Sequence, residues 1–349
     1  MISLRSDIER FIRTKEGDFN ALALALFAFQ FKNNRPYQAF CSAVGKTPDQ
    51  VSQWEEIPAV PIRAFKSSVL TTFPSAQAAA IFQSSTTTGE TPSRHYIKDL
   101  SFYESSLRSG FAQWMQQEDC EQKSPYLILT PAPAEAPYAS LTWMMDVVKR
   151  RWGSLESSYF IQRGRVDEPR LVSKLKHLAG MSSPIVLAGT TLAFLTFFDY
   201  LERSKLTFQL PTGTRLMDTG GMKTQKYEIT RASFVERATR LLGILSKDCV
   251  NEYGMCELSS QFYALGTNPI FQGPPWVRVQ AIDTNTAETL RPGQQGLLRF
   301  FDLANVDSVF AIQTDDLGRL HAQGFELLGR APGADLKGCS LSVEALLNL

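Results

Sequence analysis

The chain of 349 residues is poor in the side chains that usually bind transition metals, with three histidines and five cysteines. His95, His177 and His321 lie far apart, and Cys41, Cys120, Cys249, Cys256 and Cys339 contain no Cys-x-x-Cys pair. Structural and catalytic zinc sites gather such ligands at short spacings, so this pattern argues against one. An odd, scattered cysteine set also suits a reduced, cytoplasmic protein better than a disulfide framework. Neither a Gly-x-Ser-x-Gly elbow nor a Gly-x-x-x-x-Gly-Lys-Ser/Thr loop is present, which counts against a hydrolase nucleophile and a Walker phosphate site. An excess of one charge is missing too. Lys plus Arg number 36 against 35 Asp plus Glu, a net +1, so no general field favours nucleic acid or an acidic surface. No apolar run reaches the ~20 residues that span a bilayer, and MISLRSDIERFIRT mixes charge with apolar residues at helical spacing, unlike a signal peptide.

What is present is an ordinary globular composition, 44% hydrophobic and 20% charged, with no low-complexity tract. The N-terminal region, through LALALFAFQFKNN, has helical periodicity until Asn33, Asn34 and Pro36 break it. IPAVPIRAF suits an extended connection. AQAAAIF is a short strand or a helix end, RHYIKD a strand, and LSFYESSLRSGFAQWMQQ an amphipathic helix opened by Ser101. PYLILTP then LTWMMDVVKRRW, PIVLAGT then TLAFLTFFDYLERSK, and RLMDTGGM then ITRASFVERATRLLGIL alternate strand with helix, which implies α/β layers. Beyond Pro274, WVRVQAID, GLLRFFDL, VFAIQTDD and GFELLGR are β-rich pieces. The expected divisions are a helical region over 1–75, an α/β core over 76–273 and a smaller β-rich part over 274–349 packed as one body.

The segment QSSTTTGETPSRH sets five consecutive hydroxyls, Ser84 to Thr88, before Gly89. Small donors and bare backbone beside a glycine can wrap an anion, phosphate above all; the alternative is a solvated polar turn.

SSTTTGETPSR resembles the phosphate-binding loop of the adenylate-forming superfamily, the acyl-CoA synthetases and their relatives, with Thr86 in place of the usual glycine and one extra residue before Pro92. Three further segments follow in that superfamily's order. DTGGMK is similar to the glycine-rich turn that lines its adenine pocket. NEYGMCELSSQFY resembles its Tyr-Gly-x-Thr-Glu motif, with Tyr253, Gly254 and Glu257 matching and Cys256 at the threonine position. TDDLGRL and GFELLGR resemble the Thr-Gly-Asp and Gly-Arg pair near the end of the large domain, with Asp316 and Arg330 matching and Asp315 replacing a glycine. The resemblance implies a layered α/β large domain with a small β-rich subdomain, ATP and Mg²⁺ as cofactors, and activation of a carboxylic acid.

On that reading Ser84, Ser85, Thr86, Thr87, Thr88 and Gly89 hold the outgoing phosphates, with Arg94 nearby. Gly220, Gly221, Tyr253 and Gly254 line the base pocket. Asp316 and Arg330 take the ribose hydroxyls or phosphate, and Glu257 takes the hard metal ion, which favours oxygen ligands. Tyr253 is otherwise an ordinary buried aromatic, and Asp316 and Arg330 a surface pair. The helix containing LAFLTFFDYL is either an acyl-pocket wall or plain core.

Superfamily members continue past Gly-Arg into a mobile lid that supplies a catalytic lysine, whereas here APGADLKGCSLSVEALLNL follows Arg330. The expectation is that the lid is largely missing and that Lys223, or secondly Arg94, supplies the cation. In this the chain most resembles the acyl-protein synthetase family of bacterial bioluminescence, over nearly its whole length. That resemblance implies a fatty-acid substrate, an acyl-AMP intermediate, transfer of the acyl group to Cys339 and delivery to an acyl reductase. Lys337 beside Cys339 would favour the thiolate; the plainer alternative is an inert cysteine packed by Leu336 and Leu341. Two other readings stay open: a ligase that passes the acyl group to CoA or a carrier-protein thiol, and a non-catalytic nucleotide-binding subunit.

Overall fold

The computed structural model describes residues 2–84, 91–116, 123–221 and 229–331. Two units emerge from the pattern of contacts: Met1–Gly110 with Met255–Gln261 and Ile270–Leu349, and Phe111–Gly254 with Phe262–Pro269.

The first unit begins with helices Ile2–Thr14, Phe19–Asn33 and Arg35–Ala43. Asp18 starts the second by accepting the Ala21 amide at 3.1 Å. The expected break after it is a single residue. Asn34 ends one helix in extended backbone and caps the next, taking the Tyr37 amide at 3.2 Å, while Pro36 sits where a missing N–H costs nothing. Ala23, Leu26 and Phe27 point inward. Gln30, fully buried among them, donates to the carbonyl of Asn305 at 2.7 Å and accepts the Phe310 amide at 3.1 Å.

The β-rich part is a sheet in the order Ile270–Phe271, Gly324–Arg330, Ala311–His321, Gln295–Asp302, Val277–Ile282, with antiparallel neighbours. The extended IPAVP piece contributes Val60–Pro61, which pairs in parallel with Ala311–His321. A separate hairpin joins Ala80–Gln83 to Arg94–Ile97. Helix Leu100–Met115 starts one residue before Ser101, and its first side-chain bond comes from Asp99, whose carboxylate accepts the Ser101 amide at 2.9 Å. A carboxylate competes well with a hydroxyl at the positive end of a helix.

The second unit holds a sheet in the order Phe262–Leu265, Cys249–Tyr253, Arg215–Thr219, Val186–Thr190, Tyr126–Leu129, Ser158–Tyr159. All neighbours are parallel except the antiparallel edge strand Phe262–Leu265. Tyr126–Leu129 is buried along its whole length, as expected of a parallel strand covered on both faces. Helices Ser140–Trp152, Glu168–Ala179, Thr191–Arg203 and Arg231–Leu242 carry the alternation. The apolar side chains of Thr191–Arg203 are core: Phe194, Leu195, Phe197, Phe198 and Leu201 are fully buried in a cluster with Leu216 and Phe234. The mixed α/β architecture expected from the sequence is therefore present. No helix among the described residues is long and apolar enough to cross a membrane.

Candidate active site

In the first unit the hairpin Ala80–Gln83 and Arg94–Ile97 frames the hydroxyl run. Ser84 and Ser93 close its base: the Ser93 amide donates to Ser84 Oγ at 2.9 Å, and the Ser84 amide reaches the Ser93 carbonyl at 3.3 Å. Ser85, Thr86, Thr87, Thr88 and Gly89 lie outside the described residues. Arg94 is exposed and pairs across the hairpin with Gln83. The next residue, His95, is 1% exposed, and its Nδ1 lies 2.8 Å from the carbonyl oxygen of Cys256. Burial pushes its pKa down to about 4, so the ring is neutral and Nδ1–H donates.

Cys256 and Glu257 belong to the strip Met255–Gln261, which a polar network holds in place. Asn305 donates to the Glu257 carbonyl at 2.8 Å and accepts the Ser259 hydroxyl at 2.6 Å. Asp302, fully buried, accepts the Ser259 amide at 2.9 Å, the Ser260 hydroxyl at 2.8 Å and the Ala304 amide at 3.0 Å. Burial raises its pKa to about 6 despite those donors. Trp276 donates to Ser260 Oγ at 3.0 Å, completing the strip's anchorage. Glu257 is 3% exposed. Among the described residues no three His, Cys, Asp or Glu side chains gather as a metal cage. A single carboxylate nonetheless fits Mg²⁺, which is commonly held by one or two carboxylates together with substrate phosphates and water.

Asp316 and Arg330 face each other across paired antiparallel strands, with Arg330 Nε 3.3 Å from Asp316 Oδ1. The guanidinium is 85% exposed and the carboxylate 14%. The neighbouring Asp315 is paired separately with Arg63 at 3.3 Å.

In the second unit the candidate base-pocket residues converge at one end of the sheet. Gly220 and Gly221 follow strand Arg215–Thr219, and Gly254 follows Cys249–Tyr253, its parallel neighbour. In open α/β sheets ligands bind beyond the carboxyl ends of the strands, which is where these residues lie. Gly220 has φ +104°, a backbone state other residues rarely adopt, and no described residue other than its chain neighbours lies within 4 Å of where a Cβ would be. Tyr253 is 8% exposed, its ring 6.1 Å from that of Phe262 at a steep angle. Lys223 lies outside the described residues.

The same strand ends hold groups that the motifs do not mark. Asp218, fully buried, accepts from Thr191 Oγ1 at 2.9 Å, from Asn251 at 3.1 Å and from Arg231. Burial still raises its pKa. Thr219 donates to the buried carboxyl of Glu252. Both acids lie inside the segments DTGGMK and NEYGMCELSSQFY, although neither is assigned a role there.

The described thiols are unsuited to attack. Cys41, Cys249 and Cys256 are free and buried, and burial lifts the first two to about 12 and Cys256 higher still. Cys120, Cys339 and Lys337 lie outside the described residues.

Residues 7–348 match the model of a family described as "Acyl-protein synthetase, LuxE". The long-chain-fatty-acid–luciferin-component ligase of Aliivibrio fischeri is 23% identical over 339 residues, which cover 92% of this chain and 86% of that protein. Among solved structures, an open conformation of 2-hydroxyisobutyryl-CoA ligase in complex with its acyl-AMP and CoA aligns with a TM-score of 0.65 at 14% identity, over 89% of this chain and 69% of that one. ATP-bound MatB from Rhodopseudomonas palustris aligns at 0.52 and 16% identity, over 84% and 56%. The fold is that of the adenylate-forming ligases.

Proposed function

The chain belongs to the acyl-protein synthetase family and is an acid–thiol ligase that activates acyl groups with ATP, and from that premise we propose that it charges its own Cys339 with a fatty acyl group for delivery to an acyl reductase. The carboxylate of the acid attacks the α-phosphorus of ATP. A new P–O bond forms, the bond to the β-phosphate bridging oxygen breaks, and pyrophosphate leaves with acyl-AMP remaining. The Cys339 thiolate then attacks the acyl carbonyl, a C–S bond replaces the C–O bond, and AMP departs.

The first step brings two anions together, so charge neutralisation and positioning dominate it. Ser84 to Gly89 would hold the β- and γ-phosphates, with Arg94 beside them, and Glu257 would share Mg²⁺ with the phosphates. Gly220, Gly221, Tyr253 and Gly254 would receive the base, and Asp316 with Arg330 the ribose. Lys223 is the cation assigned to the transition state.

The observation that carries the second step is that the family match runs through Cys339, while the thiols among the described residues, Cys41, Cys249 and Cys256, are buried with raised pKa values. Free thiols also suit a cytoplasmic protein. The test is labelling with radioactive fatty acid and ATP. Wild type should acquire hydroxylamine-labile acyl label that Cys339→Ser does not, while both catalyse acid-dependent exchange of pyrophosphate into ATP. Label retained by Cys339→Ser would reject the acceptor, and label appearing only on added CoA would favour direct ligation.

A further inference from the structure

Thr219 and Glu252 are register partners on neighbouring parallel strands, and each is followed directly by residues assigned above to the nucleotide. Thr219 leads into Gly220 and Gly221; Glu252 leads into Tyr253 and Gly254. The Thr219 hydroxyl donates to Glu252 Oε2. Glu252 is 5% exposed, and among the described residues Thr219 is the hydrogen-bond partner found for its carboxyl.

The adjacent acid is held differently. Asp218 has a hydroxyl, an amide and the Arg231 guanidinium on its carboxylate, an arrangement sufficient to explain it as a structural group. Among the described residues Glu252 has no comparable cation. Burial and the charge of Asp218 push its pKa up to about 7, against the stabilising pull of Thr219. An apolar side chain would serve a buried strand better, since a carboxyl there carries a desolvation cost that one hydroxyl offsets only in part.

We propose that Glu252 is a positioning residue for the nucleotide: through Thr219 it ties the Gly220–Gly221 segment to Tyr253 and Gly254 at the end of the neighbouring strand and so holds both sides of the base pocket at one separation. This inference rests on reading those strand ends as the nucleotide site. A device of this kind acts on bound ATP before and during reaction alike, so its loss raises KM with little change in kcat.

The experiment measures ATP binding to the full chain by calorimetry, together with KM and kcat for acid-dependent pyrophosphate exchange. Thr219→Val removes the hydroxyl at nearly constant shape; it should weaken ATP binding and raise KM about tenfold with kcat within about twofold, and Thr219→Ser should restore both. Equal impairment of the Val and Ser variants, or unchanged binding in Thr219→Val, would overturn the inference while leaving the nucleotide reading intact. Absence of ATP binding by the wild type would overturn that reading, and the inference with it. Should Thr219→Val fail to fold, the comparison moves to Glu252→Leu against Glu252→Gln. The amide keeps an acceptor for Thr219 and should bind ATP more tightly than the leucine variant; equal affinities would reject the proposal.

Discussion

His95 Nδ1 sits 2.8 Å from the carbonyl oxygen of Cys256, so a neutral imidazole at the start of one hairpin strand holds the backbone immediately before Glu257. The ring also packs edge-on against Phe65 at 5.9 Å, which leaves little freedom to turn. The hairpin that frames the hydroxyl run and the strip that presents Glu257 therefore share one buried bond.

Replacing His95 with Phe should preserve the packing and lose the bond, leaving a buried carbonyl without a donor. The expected destabilisation is about 1–3 kcal/mol, read by urea unfolding. Asn places an amide near the position of Nδ1, so His95→Asn should recover much of that stability. If Glu257 holds Mg²⁺ as proposed, loosening its strip should also raise the Mg²⁺ that the Phe variant needs for half-maximal pyrophosphate exchange. An unchanged Mg²⁺ requirement would separate the bond from the metal.

His95 and Asp302 respond to acid in opposite directions. The folded pKa of His95, about 4, lies below its ordinary value of 6.5, so its contribution is present above pH 6.5 and is lost as pH falls toward 4. That of Asp302, about 6, lies above its ordinary 3.8, so its contribution is present below pH 3.8 and is lost as pH rises through 6. Each amounts to roughly 3 kcal/mol across its window. Relative to wild type, His95→Phe should therefore gain stability on going from pH 6.5 to 4, and Asp302→Asn should lose it. Unfolding free energies measured at four or five pH values decide this by the sign of each difference.

Asp316 and Arg330 form an ion pair whose guanidinium is open to solvent, and solvent-screened pairs contribute about 0–1 kcal/mol to stability. Asp316→Ala should accordingly melt close to wild type. If the carboxylate serves the ribose, KM for ATP should still rise about tenfold or more, through loss of charge-assisted hydrogen bonds. A normal KM would return the pair to the surface.

If the charge of Lys223 acts on the transition state as proposed, Lys223→Ala should abolish pyrophosphate exchange while retaining ATP binding by calorimetry. Exchange at the wild-type rate would remove Lys223 from the mechanism.

Much of the architecture is legible because period and length agree. PYLILTP and PIVLAGT are the strands Tyr126–Leu129 and Val186–Thr190, and the apolar faces of ITRASFVERATRLLGIL and TLAFLTFFDYLERSK are buried as their spacing implies. The helix Glu168–Ala179 is absent from the sequence reading although its signals exist: Asp167 caps it, Pro169 begins it, and Leu171, Val172, Leu175 and Leu178 recur on one face. Ser158–Tyr159 and Ile161–Gln162 leave no comparable trace, since two residues cannot display a period. The site divides in the same way. Gly220, Gly221, Tyr253 and Gly254 carry motifs, and parallel pairing of their strands places them at one end of the sheet. Thr219 and Glu252 lie far apart in sequence, and only strand register makes them neighbours. Likewise, His95 has no spacing that relates it to Cys256.

The strip Met255–Gln261 belongs to the first unit, although the chain on both sides of it belongs to the second. Neither unit is therefore encoded by a continuous stretch of gene. Expression of residues 1–254 would lack Glu257 and the strand that carries Asp302, while a fragment spanning 111–269 would include the strip without the Asn305 and Asp302 side chains that secure it. Any minimal version of this protein, any permuted form and any chimera with a relative must exchange the interleaved segments together.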